Sequence, residues 1–161
     1  MTIETKLPEH IKSLLIERAL TLAVAESSSG GLLSEQFTRI PGSSVYFKGG
    51  IVTYSNDSKR DILLINPDLI RIHGAVSSEV VLEMAKEARR IFKTDIALAI
   101  SGITGPTGGT EEKPVGLTYI GIDSLDQTSA ERFVFKGDRE EIRKKSVLHA
   151  LKLLLTYLVN E

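Results

Sequence analysis

The sequence predicts a three-layer α/β/α sandwich built around a mixed sheet. Helical stretches alternate along the chain with short apolar stretches, which is the pattern of helices packed on both faces of a sheet. Residues 95–100 are apolar almost throughout, as is typical of a strand buried on both faces. Residues 115–122 and 132–135 lie close together in the chain and predict a hairpin, which adds antiparallel pairing to the sheet.

Helices are predicted where apolar residues recur every three or four positions. The clearest case follows Ser77, a capping residue that precedes Val80, Val81 and Met84 on one helical face. The serines that precede residue 30 could each cap the second helix. The predicted helices cover residues 8–20, 30–40, 55–65, a long stretch after Ser77, and 139–159, with a short turn or helix over 66–74.

Strands are predicted where short apolar runs are bounded by turn residues. Gly49 and Gly50 interrupt the second run and indicate a bulge or a close approach of another chain segment. Residues 101–114 are rich in Gly, Thr and Pro and too long for a plain connection, which favours a functional loop. The predicted strands cover residues 21–25, 45–54, 95–100, 115–122 and 132–135.

Length and composition exclude several classes of protein. The 161 residues predict one domain over residues 1–161, with 42% hydrophobic and 25% charged residues, as in ordinary globular proteins. A net charge of −1 argues against general nucleic-acid binding. The absence of cysteine excludes disulfides and a cysteine nucleophile, and the isolated histidines offer no metal-ligand spacing. Without a signal peptide or an apolar run of about 18–20 residues, we expect a cytoplasmic protein with no membrane partner.

A serine and a lysine supply the parts for acyl transfer. Ser44 lies in a Pro-Gly-Ser-Ser loop, fifteen residues before Lys59. An unprotonated lysine can take the proton of a serine and make it nucleophilic. If Ser55 or Asn56 caps the helix, Lys59 lies in its first turn, where the helix dipole and partial burial would both lower its pKa. Tyr54 or Ser55 could then hydrogen-bond the amine or shuttle its proton, although an ordinary solvated lysine fits the same pattern.

Two further loops have the composition of ligand-binding turns. The Ser/Gly turn over residues 26–31 follows a strand and opens a helix, whose N-terminus favours anions. Residues 102–109 offer backbone N–H groups near a strand end, suited to an oxyanion hole or a phosphate cradle. In each case a turn without a ligand is the alternative. Neither the Gly-x-Ser-x-Gly nor the Walker pattern is present.

Seven motifs follow one another along the chain. They are Ala25 to Gly31, Pro41 to Ser44, Val52 to Asn56 with Lys59, His73 to Ser77, Ser101 to Pro106, Glu112 to Gly116 and Gly137 to Arg139. In order and spacing these motifs resemble the C-terminal domain of the CinA family. The resemblance covers nearly the whole chain, from about Ile11 to Tyr157. Two motifs depart from the family pattern, at Ser28-Ser29 in the first turn and at residues 47–50.

The resemblance implies an amidohydrolase that converts nicotinamide mononucleotide to nicotinic acid mononucleotide and ammonia. It implies Ser44 as nucleophile and Lys59 as general base. It also implies supporting roles for Ser27, Tyr54 and Ser101. It also implies a homo-oligomer, a dimer or larger, and no metal or organic cofactor. Arg139, or else Arg143, is the expected partner of the substrate phosphate. The residues expected to bind the substrate are Ser29, Gly30, Gly31, Ser101, Gly102, Gly105 and Arg139.

Two alternatives keep the fold and change the function. One is a non-catalytic module that binds a nucleotide or a partner, favoured by the departure from the family motif at residues 47–50, which removes a charged contact. The other is an amidase for a different small substrate. The intact Ser44 and Lys59 argue against the first.

Overall fold

A five-stranded sheet lies between two layers of helices in a computed structural model of the chain, which describes residues 3–160. The predicted α/β/α fold class is therefore confirmed. The helices are α1 (Ile3–Glu17), α2 (Leu32–Thr38), α3 (Asn56–Asp61), α4 (Pro67–His73), α5 (Ser78–Phe92) and α6 (Arg139–Asn160). The strands are β1 (Leu22–Glu26), β2 (Phe47–Val52), β3 (Ile96–Gly102), β4 (Leu117–Ser124) and β5 (Thr128–Val134), with a 3-10 turn at Ser43–Val45.

The sheet is mixed, with the strand order β2-β1-β3-β4-β5. β1 pairs in parallel with both β2 and β3, whereas β3–β4 and β4–β5 are antiparallel. The register between β1 and β2 shifts by one residue at the start, because Leu22 pairs with Phe47 and Ala23 with Gly49. A Cβ at Gly49 would overlap the ring of Phe92, so the predicted irregularity at this position is confirmed.

The connections place β1 at a switch point of the sheet. β1 leads through α2 to β2 on one side, and β2 returns through α3, α4 and α5 to β3 on the other side of β1. In open α/β sheets, ligands bind outside the carboxyl ends of the strands at such a point, because the connecting loops diverge there and leave a crevice. The residues that follow β1 are therefore the first place to look for a site.

Alternation along β1 directs its side chains into two separate cores. Leu22 and Val24 pack with α1, α2 and α6 on one face of the sheet. Ala25 packs on the other face with Met84 and other residues of α5. Because successive side chains of a strand point to opposite faces, the residue two positions after Ala25 is directed toward the α5 face. That residue is Ser27.

The boundaries differ most from prediction at the two ends of the fold. β5 begins at Thr128 rather than at residue 132, because this edge strand is polar and largely exposed and so lacks an apolar run. α1 begins at Ile3, and Pro8 lies within it rather than at its start. Ser77 caps α5 as predicted, accepting a hydrogen bond from the Val80 N–H. None of the helices within residues 3–160 combines the length and the apolar character needed to cross a membrane.

Candidate active site

Lys59 is buried beneath the carboxyl ends of β1 and β2, with 1% of its surface exposed. Its Nζ donates hydrogen bonds to the Ser27 Oγ at 3.0 Å and to the Thr53 backbone oxygen at 2.7 Å. A general base must lie within about 2.6–3.2 Å of the proton that it removes. Lys59 meets this condition for Ser27.

Burial lowers the pKa of Lys59 to about 8, because the protein interior penalises the charged ammonium. Burial is one of the two causes predicted from the sequence. The predicted cap is also confirmed, because the Ser55 side chain accepts a hydrogen bond from the Ser58 N–H at 3.1 Å and begins α3. The lowered pKa leaves part of the Lys59 population as the free amine near neutral pH, in the form that accepts a proton.

Ser27 continues β1 by one residue into the crevice. Its N–H donates to the Ile100 oxygen at 3.0 Å, and on the other side the Thr53 N–H donates to the Glu26 oxygen at 2.8 Å. These bonds extend the parallel pairing past the end of β1 and fix the backbone of Ser27. The side chain reaches Lys59 on the α5 face, as the alternation along β1 requires.

The structure does not bring Ser44 to Lys59. Ser44 is exposed in the turn that precedes β2, whereas Lys59 follows the opposite end of that strand. A strand advances about 3.3 Å per residue, so the ends of β2 are roughly 17 Å apart. The expected pairing of Ser44 with Lys59 is therefore wrong in this chain, and Ser27 occupies the position beside the amine. Residues 47–50, where the sequence departs from the expected family motif, form the first part of β2. They therefore lie toward Ser44 and away from the end of the strand that Lys59 follows.

Glu26 organises the turn after β1, a role that the sequence analysis missed. Its fully buried carboxylate accepts hydrogen bonds from the N–H groups of Gly31, Leu33 and Ser34 at 2.8–3.0 Å and from the Ser34 hydroxyl at 2.6 Å. Carboxylates stabilise helix N-termini because they satisfy free N–H groups and oppose the positive end of the dipole. The prediction that a serine caps α2 is wrong, since Gly31 occupies the cap position without a side-chain bond.

Gly30 and Gly31 shape the turn rather than forming an open anion cradle. Both have left-handed backbones, with φ of 59° and 97°, a conformation that glycine adopts without strain. The Gly31 N–H is taken by Glu26, and the Gly30 N–H donates to the Ser27 oxygen at 3.1 Å. Within residues 3–160, no hydrogen bond uses the N–H of Ser28 or Ser29. Those two groups are the free backbone donors beside Ser27.

Arg139, at the start of α6, ties three parts of the site edge together. It donates hydrogen bonds of 2.8 Å to the Thr104 hydroxyl, the Gly105 oxygen and the Tyr54 hydroxyl. Tyr54 is 60% exposed and bonds to Arg139, and no hydrogen bond within residues 3–160 joins it to Lys59. The expectation that Tyr54 hydrogen-bonds the amine is therefore not met. Arg139 uses only part of its five N–H donors in these contacts.

A second arginine lies beside the Ser/Gly turn. Arg143 donates to the Ser29 oxygen at 2.8 Å. Both arginines line a depression of about 290 Å³, formed by Leu32, Arg139, Glu140, Arg143 and Lys144. The excess of positive charge in this depression suits an anionic group of a ligand.

The end of β3 and the glycine-rich loop that follows it are both hydrogen-bonded to the segment that joins α4 to α5. The Ser101 hydroxyl donates to the Ala75 oxygen at 2.8 Å, so this predicted binding residue has a structural partner. Lys113 donates to the Val76 oxygen at 2.8 Å and to the His73 oxygen, a connection that the sequence analysis missed. A charged residue within a Gly/Pro-rich loop is the only sequence signal for it.

Gly102 allows a close approach between the turn and β4. A Cβ at this position would lie 3.1 Å from the Ser28 Oγ and 2.9 Å from the Thr118 Oγ1, so a side chain would push these groups apart. The Ser28 and Ser29 hydroxyls are buried and have no hydrogen-bond partner within residues 3–160. In the same part of the chain, no cluster of three His, Cys, Asp or Glu side chains has the arrangement of a metal site.

Fold and site together define an α/β domain with a buried serine–lysine pair at the switch point of a mixed sheet. Comparison with known proteins identifies which such domain this is. The chain belongs to the CinA C-terminal domain family, whose model matches residues 4–158. The resemblance found in the sequence motifs is thereby confirmed.

Relatives and solved structures agree with this family. A CinA-like protein of Geobacter sp. (strain M21) is 45% identical over 154 residues, which cover 96% of this chain and 37% of that protein. The chain thus spans little more than a third of such curated relatives. The crystal structure of a CinA superfamily protein from Klebsiella pneumoniae has a TM-score of 0.95 at 30% identity and covers 99% of this chain and 100% of its own. The crystal structure of the competence/damage inducible protein CihA from Agrobacterium tumefaciens has a TM-score of 0.92 at 34% identity. The match covers 97% of this chain and 98% of that one.

Proposed function

We propose that this chain is an amidohydrolase that converts nicotinamide mononucleotide to nicotinic acid mononucleotide and ammonia, with Ser27 as nucleophile and Lys59 as general base. The observation that carries the proposal is the 3.0 Å contact between the Lys59 Nζ and the Ser27 Oγ in a buried site. The substrate comes from the motif resemblance, and the cationic depression near the site supports a phosphorylated ligand.

In the acylation half-reaction, Lys59 as the free amine takes the Ser27 hydroxyl proton while the Ser27 Oγ attacks the carboxamide carbon. A C–O bond forms, and the carbonyl π electrons move onto oxygen to give a tetrahedral oxyanion. When the oxyanion collapses, the C–N bond breaks. The Lys59 ammonium returns its proton to the departing nitrogen, and ammonia leaves an ester on Ser27.

Deacylation repeats these steps with water. Lys59, again a free amine, takes a proton from a water molecule as the water oxygen attacks the ester carbon. Collapse of the second tetrahedral intermediate breaks the bond to the Ser27 Oγ, which receives the proton from Lys59. The carboxylic acid product leaves, and both residues return to their starting states.

The oxyanion needs donors that are fixed before the reaction begins. The N–H groups of Ser28 and Ser29 directly follow the proposed nucleophile and donate to no hydrogen bond within residues 3–160, so both are available for this role. Glu26 holds the start of α2 in place and thereby limits the conformations of the turn that carries them. We assign the oxyanion to these two N–H groups.

Substrate phosphate is expected at the arginines rather than at the helix N-terminus. The first turn of α2 already holds the Glu26 carboxylate, which would repel a phosphate and occupies the N–H groups that would bind it. Arg139 and Arg143 line the neighbouring depression and retain unused N–H donors. A charge-assisted, bidentate contact from either one suits a phosphate group.

The test is ammonia release by the purified chain with nicotinamide mononucleotide as substrate. We expect turnover by the parent and its loss in Ser27→Ala. Titration calorimetry with the same nucleotide separates the alternatives: binding without turnover would support a non-catalytic module and contradict the proposal. Turnover of other primary amides but not of this nucleotide would keep the serine–lysine chemistry and reject the substrate.

A further inference from the structure

We infer that the Thr53 hydroxyl is a further catalytic group, which hydrogen-bonds the reacting carboxamide at Ser27; the inference rests on the proposed function. Thr53 is fully buried, and its Oγ1 has no hydrogen-bond partner among residues 3–160. Buried hydroxyls are satisfied in the great majority of cases, so an unsatisfied one requires a specific explanation. Its position next to the nucleophile supplies one.

The register of the sheet places Thr53 directly beside Ser27. Ala25 pairs with Ile51 and Glu26 with Val52 in the parallel ladder, and the next pair along is Ser27 with Thr53. The 2.8 Å bond from the Thr53 N–H to the Glu26 oxygen continues the ladder at this point. Paired residues of neighbouring strands point to the same face of a sheet. Both side chains therefore face the α5 side, where Lys59 lies.

Lys59 sits between the two residues. Its Nζ is 2.7 Å from the Thr53 backbone oxygen and 3.0 Å from the Ser27 Oγ. The backbone carbonyl of Thr53 thus orients the amine, while the hydroxyl of the same residue remains unused. A hydroxyl both donates and accepts hydrogen bonds, and a primary carboxamide offers a carbonyl acceptor and two N–H donors. The reacting group of the substrate is therefore a matched partner for Thr53.

One substitution distinguishes a hydroxyl that binds the carboxamide from a hydroxyl that has no function. Thr53→Val keeps the shape of the side chain and the backbone carbonyl that binds Lys59, and it removes only the hydroxyl. If the hydroxyl has no function, removing an unsatisfied polar group should leave activity unchanged and the protein at least as stable. If it binds the carboxamide, stability should again be kept while turnover falls.

Tyr46 provides the matched control for this test. Its hydroxyl is also buried without a partner within residues 3–160. Tyr46 directly precedes β2, whereas Lys59 follows the other end of that strand. Tyr46→Phe removes an unsatisfied hydroxyl in the same way, but far from the site. We expect its melting temperature to equal or exceed that of the parent and its kcat to be unchanged.

The experiment measures kcat and KM for nicotinamide mononucleotide, together with the melting temperature, in the parent, Thr53→Val, Thr53→Ser and Tyr46→Phe. We expect Thr53→Val to lower kcat/KM by about tenfold or more, as for the loss of one hydrogen bond to a charged transition state. Its melting temperature should not fall, and Thr53→Ser should restore most of the activity. If Thr53→Val does not fold, Thr53→Ala is compared with Thr53→Ser instead.

Two outcomes overturn the inference in distinguishable ways. An active parent with an equally active Thr53→Val, or Thr53→Ala where that replaces it, rejects the role of Thr53 and leaves the proposed function intact. A parent that releases no ammonia from the nucleotide rejects the proposed function, and the inference with it.

Discussion

The Nζ of Lys59 lies 3.0 Å from the Oγ of Ser27, a residue 32 positions earlier in the chain. The contact follows from the parallel pairing of β1 with β2. Ser27 comes directly after β1, and Lys59 comes in the short helix after β2, so both lie at the edge where the two strands end. Parallel neighbours bring distant parts of a chain to one edge of a sheet, which is how this pair forms.

Substitution of the two candidate serines tests which one is the nucleophile. We expect Ser27→Ala to lower kcat by about 10³-fold or more, because nucleophile and base act as a unit. Ser44→Ala is the control, because Ser44 is exposed at the other end of β2. We expect this substitution to lower kcat by less than a few-fold. The double mutant of Ser27→Ala with Lys59→Met should be little worse than either single change. A severe loss in Ser44→Ala with little loss in Ser27→Ala would reverse the assignment.

The fold and the partial burial of Lys59 could be predicted from the sequence, but the serine that lies beside Lys59 could not. Hydrophobic patterning located most elements, and the cap at Ser55 placed Lys59 in its helix. The choice of Ser44 rested on its alignment with a family motif and its nearness to Lys59 in sequence. β2 lies between the two residues, so Ser44 precedes the amino end of this strand and Lys59 follows its carboxyl end. Only the pairing of strands shows that Ser27 is the neighbour.

The cap of α2 shows a second limit of reading the sequence alone. Capping rules assign the N-terminal N–H groups to the residue just before the helix. Here Glu26 reaches residues five to eight positions ahead, because the turn through Gly30 and Gly31 folds the chain back over the end of β1. A long-range cap of this kind has no local signature beyond an acidic residue at a strand end.

Recognition of the substrate phosphate is tested at the two arginines. We expect Arg139→Ala to raise KM for nicotinamide mononucleotide about tenfold or more, the size of a charge-assisted contact. Nicotinamide riboside, which lacks the phosphate, should be a poor substrate whose KM changes much less. Tyr54→Phe is the control, since it removes the Tyr54 hydroxyl and leaves the arginine. If Arg139→Ala leaves KM unchanged and Arg143→Ala raises it, Arg143 holds the phosphate.

Glu26 should contribute strongly to stability. Glu26→Gln places an amide N–H₂ against backbone N–H donors, so at least one of the present hydrogen bonds is lost in a fully buried site. Leaving buried groups unsatisfied costs about 1–3 kcal/mol, and we expect a fall of that order in the free energy of unfolding, measured by urea denaturation. Ser34→Ala, which removes one of four donors, should cost less. Equal stability of Glu26→Gln and the parent would contradict this account.

The buried lysine should make stability depend on pH. Its pKa is about 8 in the folded protein and 10.5 in the unfolded chain, so the unfolded chain binds more protons between these values. The free energy of unfolding should therefore rise with pH from about 8 to 10.5, by on the order of 3 kcal/mol. Lys59→Met should lack this rise, and comparing the two proteins at each pH cancels the titration of other groups. Parallel curves for the parent and Lys59→Met would show that the pKa is not lowered.

The same pKa should govern the rate. Lys59 acts as a base only when it is unprotonated, so kcat/KM should rise with pH and level off above about 8. Lys59→Arg is the matched control, because arginine keeps the positive charge but does not lose its proton in proteins. It should be inactive across the range, as should Lys59→Met. A parent profile that is flat from about pH 6 to 9, or that falls as pH rises through this range, would show that Lys59 is not the base and that Ser27 is activated in another way.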